Sequence, residues 1–465
     1  MRSLRHTLFI MALAFLGGCA SLPDVAYLRD RHLAPRQEPT IVAAGGALST
    51  TRSQAIIDRL GNKADAAEFL SRHVAAEQAI AGKPLVAGNK VILLDDGPIT
   101  MRAMMSAIRA AKDHVNLETY IFEADEVGRA LADLLIQKRA SGVQVNLIYD
   151  SVGTLDTPKE FFERLRAAGI NTLEFNPVNP LRATGDWDIN QRDHRKLLVV
   201  DGKVAFTGGV NISKVYGKSS ILGSRHAEPP PKDPKEAAWR DTHMQIEGPV
   251  VAEFQKLFLD TWQRKTGNAL VGAQYFPPLK QEGNALVRAL GSTADDMDFT
   301  IYKTYISAFA NANKSIHLTT AYFVPDRQVV QAMIDAARRG VDVEIIFPSL
   351  TDVDLILYAG RSFYEELLQG GVRIYERKAA VLHAKTAVID GVWSTIGSTN
   401  LDIRSFLHND EINAVVLGAD FADKMEALFQ RDIRDSNEVS LEQWRRRGMG
   451  ERMREWAVRF LDYWL

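Results

Sequence analysis

Two stretches of the chain carry a histidine, a lysine and an aspartate at one spacing. They are His194-Arg195-Lys196-Leu197-Leu198-Val199-Val200-Asp201 and His383-Ala384-Lys385-Thr386-Ala387-Val388-Ile389-Asp390. Each runs on to an asparagine, through Gly208-Gly209-Val210-Asn211 and Gly397-Ser398-Thr399-Asn400. One pattern, H-x-K-x4-D-x6-G-[GS]-x-N, fits both without a gap, and the offset is 189 residues at the first position and at the last. A single H-x-K carries little meaning, but two copies in register point to a site built from two halves.

Residues two apart on a strand face the same side, so the His and Lys of each copy point into one space. Two such sets can converge on a single phosphate. Lys196 and Lys385 would supply positive charge, and Asn211 and Asn400 amide donors, to a diester whose oxygens gain charge in the transition state. One histidine can attack phosphorus while the other protonates the leaving alkoxide. The lysines provide the electrophilic charge, so this reading calls for no metal and no other cofactor. Asp201 and Asp390 close their strands just before Gly202 and Gly391, which suits a structural role in the turn. Gly208, Gly209, Gly397 and Ser398 suit close backbone approach at the site walls.

The elements that must position these residues also repeat. Asp113-His114-Val115-Asn116-Leu117-Glu118-Thr119 and Lys314-Ser315-Ile316-His317-Leu318-Thr319-Thr320 read as alternating strands, each leading into aromatic residues. Amphipathic helices follow over 127–140 and 328–339, ending near Gly142 and Gly340. Apolar strands come next over 143–149 and 341–347, and then second helices ending at Gly169 and Gly371. Strand–helix–strand–helix, twice, predicts an α/β fold of two units with crossover connections.

The chain has 465 residues and a net charge of −2, from 56 basic and 58 acidic side chains. Nothing in that balance provides a global basic field, so nucleic acid is not an expected partner. The one cysteine, Cys19, excludes an intrachain disulfide. It follows a basic start, an apolar run over 8–16 and Leu16-Gly17-Gly18. This has the form of a secretory signal, and the run is too short to span a bilayer. Leu-Gly-Gly-Cys resembles the bacterial lipobox, which implies a lipidated Cys19 and an exported, membrane-anchored lipoprotein. Ala20 at the next position favours the outer membrane over the inner, on the periplasmic side. At the other end, Met449, Met453, Trp456, Phe460 and Trp464 form a helical stripe among arginines. That stripe fits either a helix lying in a lipid interface or one packed on its own domain.

Paired H-x-K-x4-D motifs resemble those of the phospholipase D superfamily. Leu117-Glu118-Thr119-Tyr120-Ile121-Phe122, Ile246-Glu247-Gly248-Pro249, Ala321-Tyr322-Phe323 and Gly397-Ser398-Thr399-Asn400-Leu401-Asp402 narrow the likeness to its cardiolipin-synthase-like branch, over about residues 88–430. The resemblance implies two pseudo-symmetric α-β-α units with mixed, mostly parallel sheets and one active site at their interface. It implies a phosphatidyltransferase in which His194 attacks phosphorus and His383 handles the proton, although the near-symmetry leaves their order open. It also implies an acid behind each histidine. Glu411 stands 28 residues after His383, and Asp241 stands 47 after His194. The 19 extra residues between His194 and Asp241 correspond to an exposed loop around 228–234. The expected organisation is a signal over 1–19, a helical lead-in over 20–86, repeat units over 87–270 and 271–435, and an amphipathic C-terminal helix over 436–465. A phospholipid substrate and a membrane surface are the expected partners, with a protein partner left open. A hydrolytic phospholipase D uses the same covalent step, and a nuclease belongs to the same superfamily. A non-catalytic scaffold would have lost a His or Lys from one motif, and both motifs are intact.

Overall fold

The computed structural model describes residues 21–30, 33–61, 64–183, 187–218, 237–378 and 380–459. Cys19, the 228–234 loop, Phe460 and Trp464 lie outside the described residues.

The fold grows from the repeat. In the first half, strand His114–Thr119 pairs in parallel with Gln144–Asp150, which pairs in parallel with Asn171–Phe175. In the second, Ser315–Thr320, Asp342–Pro348 and Arg373–Arg377 do the same. The crossover helices Glu126–Ala140 and Arg327–Arg338 begin with aspartate caps: Asp125 accepts from the Gly128 N–H and Asp326 from the Val329 N–H. They end where Gly142 and Gly340 take a left-handed φ of 91°.

The strands that follow each H-x-K, Leu197–Val200 and Lys385–Ile389, add antiparallel to the other side of the first repeat strand. Val204–Gly208 and Trp393–Gly397 come next, then His243–Glu247 and Asn409–Leu417. At the centre, Leu85–Leu94 pairs antiparallel with Ala285–Ser292. This pair relates the halves by an approximate two-fold axis and joins their strands into one continuous mixed sheet. Parallel pairing is concentrated in the outer part of each half, and the junction is antiparallel. Helices Val251–Thr266 and Ala419–Arg434 cover its inner face, burying Phe254, Phe258, Phe421 and Met425.

Two expectations about the ends need correction. The lead-in is not purely helical: Ile41–Ala43 pairs in parallel with Leu85–Leu94, carrying the sheet back into residues 20–86. The C-terminal 436–465 segment does not begin as a helix either. Ser436–Val439 is a strand at the edge beside Arg373–Arg377, and short helices Leu441–Arg445 and Met449–Val458 follow it. A four-residue edge strand lacks the length for a visible alternation, so only the helical stripe from Met449 onward left a signal in this segment.

Lead-in helix Ala64–Ala81 packs against Thr300–Asn311 and buries an ion pair. Arg288 Nη1 lies 2.7 Å from Glu77 Oε2, with both side chains fully buried. Gln78 accepts from the same guanidinium at 2.8 Å, and Trp393 donates to Glu77 at 3.4 Å. Removing one partner of such a pair leaves the other charged and unsolvated. Glu77→Ala should therefore destabilise the fold by about 3–5 kcal/mol. Denaturant unfolding measures this, and a loss under about 1 kcal/mol would contradict the packing described.

Candidate active site

The two H-x-K segments sit where short strands tie one half to the other. Arg192–Asp193 pairs in parallel with Asn409–Asp410, so the His194 N–H donates to the Asp410 carbonyl at 3.0 Å. Trp239–Arg240 pairs in parallel with Val381–Leu382, so the His383 N–H donates to the Arg240 carbonyl at 2.8 Å. The next residue on each partner strand is an acid. Glu411 thereby faces His194, and Asp241 faces His383.

This crossing corrects the pairing expected from chain spacing, in which each half backed its own histidine. His194 Nδ1 lies 2.9 and 3.1 Å from the two oxygens of Glu411. His383 Nδ1 lies 2.7 Å from Asp241 Oδ2 and 3.2 Å from the Tyr216 hydroxyl. Counting along the chain finds the acids but not their partners, because two-residue strands decide the exchange and leave no periodic trace.

Supporting groups hold both acids. The Ser398 hydroxyl donates to Glu411, and Asn409 donates to it at 3.2 Å. The Thr242 N–H donates to Asp241 at 2.7 Å. At the position matching Ser398 stands Gly209, where an added Cβ would lie 2.1 Å from Asp241 Oδ1. Glycine is required there for the carboxylate to fit. Asp201 and Asp390 both take φ of 52°, and each carboxylate accepts from three successive backbone N–H groups at the turn that leads into the first repeat strand. The donors are Lys112, Asp113 and His114 for Asp201, and Asn313, Lys314 and Ser315 for Asp390. Each aspartate thus ties its motif strand to the strand beside it.

Lys196 and Lys385 are buried, and each Nζ donates to the carbonyl of its own histidine, at 2.7 Å for Lys196. Asn211 donates to the Tyr216 hydroxyl at 3.1 Å and accepts from the Ile121 N–H at 3.2 Å. The Asn400 amide oxygen is buried with no hydrogen-bond partner among the described residues. Aromatic rings wall the cluster, and the motifs gave no hint of them as a set. Tyr120 lies 5.1 Å from the His194 ring and 5.2 Å from Lys196 Nζ, centre to centre and centre to atom. Trp239 lies 5.2 Å and Tyr322 6.3 Å from the His383 ring. The Tyr322 hydroxyl in turn donates to Asp352 at 2.7 Å. The repeated aromatics after each first strand were the available signal for Tyr120 and Tyr322.

Burial decides the charge states. It pushes His194 down to about 4, with Glu411 opposing and Lys196 assisting. It pushes His383 down to about 4 as well, with Lys385 assisting and Asp241 opposing. Burial alone would raise Glu411, but His194, Lys196 and Ser398 bring it down to about 2. Burial lowers Lys196 to about 7 and Lys385 to about 8. Near neutral pH the rings are uncharged with their Nδ1 atoms turned to carboxylates. A neutral imidazole so oriented keeps its Nε2 lone pair for attack.

The chain matches the family described as "Cardiolipin synthase, PLD-like domain" over residues 104–217 and 305–433, which include all four motif His and Lys residues. A cardiolipin synthase of Geobacillus kaustophilus (strain HTA426) is 34% identical over 387 residues, 82% of this chain and 74% of the relative. Cardiolipin synthase 2 of Bacillus cereus is 35% identical over 373 residues, 79% of this chain and 69% of the relative. Among solved structures, the phosphatidylserine synthase of Haemophilus influenzae Rd KW20 superposes with a TM-score of 0.61 at 13% identity. It covers 84% of this chain and 99% of its own, which extends the likeness of fold across both halves. The chain belongs to the cardiolipin synthase family of phospholipase D-like phosphatidyltransferases.

Proposed function

We propose that this protein makes cardiolipin from two molecules of phosphatidylglycerol, releasing glycerol. The observation that carries the reading is the pair of carboxylate-backed neutral imidazoles beside two buried lysines, in a chain with cardiolipin synthases as relatives. One imidazole Nε2 attacks the donor phosphorus, forming a P–N bond as the P–O bond to glycerol breaks. The other ring, which takes a proton from solvent onto its Nε2 as the anionic diester binds, gives that proton to the leaving glycerol oxygen. It then takes the proton of the acceptor hydroxyl, whose oxygen displaces the histidine from phosphorus. The anionic diester raises the proton affinity of that second ring on binding, and its carboxylate steadies the imidazolium. Lys196 and Lys385 offset the charge on the phosphoryl oxygens, and Asn211 and Asn400 complete the cradle. On the family likeness His194 is the nucleophile and His383 the acid–base. Water as acceptor would give phosphatidic acid by the same first step.

Membrane attachment is part of the proposal. Lipidated Cys19 would hold the chain at the periplasmic face of the outer membrane. No helix among the described residues is long and apolar enough to cross a membrane. A second contact comes from helix Met449–Val458. Met449, Met453 and Trp456, spaced four and three apart, are 78%, 67% and 65% exposed. Glu455 and Val458, on the opposite side, are buried. An outward apolar stripe beside Arg452 suits an anionic lipid surface, and because a single acyl chain holds a protein only marginally, several chains or such a second contact would strengthen the attachment.

Incubated with phosphatidylglycerol vesicles, the purified protein should yield cardiolipin and glycerol by lipid mass spectrometry. His194→Ala and His383→Ala should each abolish product. Phosphatidic acid alone would identify a hydrolase, and full activity in either variant would remove the mechanism. The pH dependence has a definite sign. The attacking ring must be neutral, so kcat/KM falls as pH drops through about 4. The lysines must be charged, so kcat/KM falls as pH rises past about 7 to about 8. A profile still rising above pH 9 would contradict these assignments. Trp456→Ser should weaken binding to anionic vesicles in flotation assays and leave turnover of detergent-dispersed lipid unchanged. Cys19→Ala should release the protein from membrane fractions, and unchanged attachment in both variants would exclude these two contacts.

A further inference from the structure

Cardiolipin formation differs from hydrolysis in one chemical respect: the acceptor alcohol carries a phosphodiester of its own, on the same three-carbon glycerol as the attacking hydroxyl. A site selective for that acceptor needs a second cation near the first. The fully buried arginines of the described residues have acidic neighbours: Arg192 has Asp150 at 3.6 Å, Arg195 has Glu118 at 3.8 Å, and Arg288 has Glu77 at 2.7 Å. Arg240 and Arg377 share Asp432. Arg404 stands apart. It is half-buried, and no described carboxylate lies within ion-pair distance. Its contacts are neutral: Nη1 and Nη2 each donate to Asn190, at 3.3 Å, through the side chain and the backbone carbonyl.

Arg404 also stands in the right place. It begins four residues after Asn400, on the short helix Ile403–Leu407 that follows the motif loop. Its partner Asn190 lies four residues before His194 on the facing half. Tyr120, whose ring lies 5.1 Å from that of His194, is an electrostatic neighbour of the guanidinium. Arg404 therefore bridges the two halves on the His194 side of the phosphate cluster. The matching position in the first half, 189 residues earlier, is Val215. The pseudo-two-fold symmetry breaks here, and a donor and an acceptor that play different roles require such a break.

We propose that Arg404 forms a second anion subsite, holding the phosphodiester of the acceptor phospholipid while its headgroup hydroxyl reaches the phosphorus on the histidine. The inference rests on the transferase reading above. The guanidinium has five N–H donors and gives two to Asn190; with Asp402 and Asp150 acting on it only beyond ion-pair distance, an arriving phosphate can meet it in bidentate geometry. Water and glycerol carry no phosphate, so their reactions do not need the subsite.

The test uses the full chain, phosphatidylglycerol vesicles and three acceptors: the lipid itself, isotope-labelled glycerol and sn-glycerol 3-phosphate. Arg404→Gln should lower cardiolipin formation about 10–100-fold, with exchange of labelled glycerol into phosphatidylglycerol near the wild-type rate. Arg404→Lys, which keeps the charge but not the fork, should fall between. A parallel loss on glycerol 3-phosphate would show that the subsite reads phosphate from either source. Its absence would show that the subsite reads the lipid diester. Equal loss of glycerol exchange and cardiolipin formation in both variants, or unchanged cardiolipin formation, would overturn the proposal. A wild-type protein that exchanges glycerol but makes no cardiolipin would instead overturn the transferase reading beneath it.

Discussion

Each motif imidazole leans on a carboxylate from the opposite half of the chain. Glu411 reaches across to His194 and Asp241 to His383, and the two contacts are related by the same pseudo-two-fold axis as the fold. Neither half carries a complete histidine–acid pair. The central antiparallel pairing of Leu85–Leu94 with Ala285–Ser292 therefore supports both histidine–acid contacts as well as the packing. A shift of a few tenths of an ångström at this junction would lengthen both acid contacts together, and oriented proton transfer is sensitive to such displacement.

The same arrangement settles the charge balance. Two buried carboxylates stand against two buried ammonium groups, while burial keeps the rings neutral. The site carries no large net charge, and on the proposed function an arriving diester would contribute the anion that the lysines hold. Burial, with Lys385 assisting, lowers the proton affinity of Lys196, a cost that a bound anionic diester would offset. Aromatic walls from Tyr120, Trp239 and Tyr322 keep the local dielectric low, which strengthens each of these interactions.

Much of this was legible in the sequence. The doubled H-x-K pattern located the histidines and lysines, and the repeat of strands and helices gave two α/β units. The family resemblance also pointed to Glu411 and Asp241 as the acids. Neither it nor the spacing could say which histidine each one serves, because the answer depends on Arg192–Asp193 meeting Asn409–Asp410 and Trp239–Arg240 meeting Val381–Leu382. Strands of two residues have no period to read. The strand in the lead-in and the edge strand Ser436–Val439 escaped for the same reason. Arg404 escaped for another: no described carboxylate comes within ion-pair distance of it, although Asp402 and Asp150 act on it from further away, and only coordinates reveal that.

The crossed pairing can be measured directly from the ring-nitrogen NMR shifts of ¹⁵N-histidine-labelled protein, comparing the wild type with Glu411→Gln and Asp241→Asn. The account predicts that Glu411→Gln moves the His194 Nδ1 resonance and leaves that of His383 in place, and that Asp241→Asn does the reverse. Each substitution perturbing the histidine of its own half instead would contradict it.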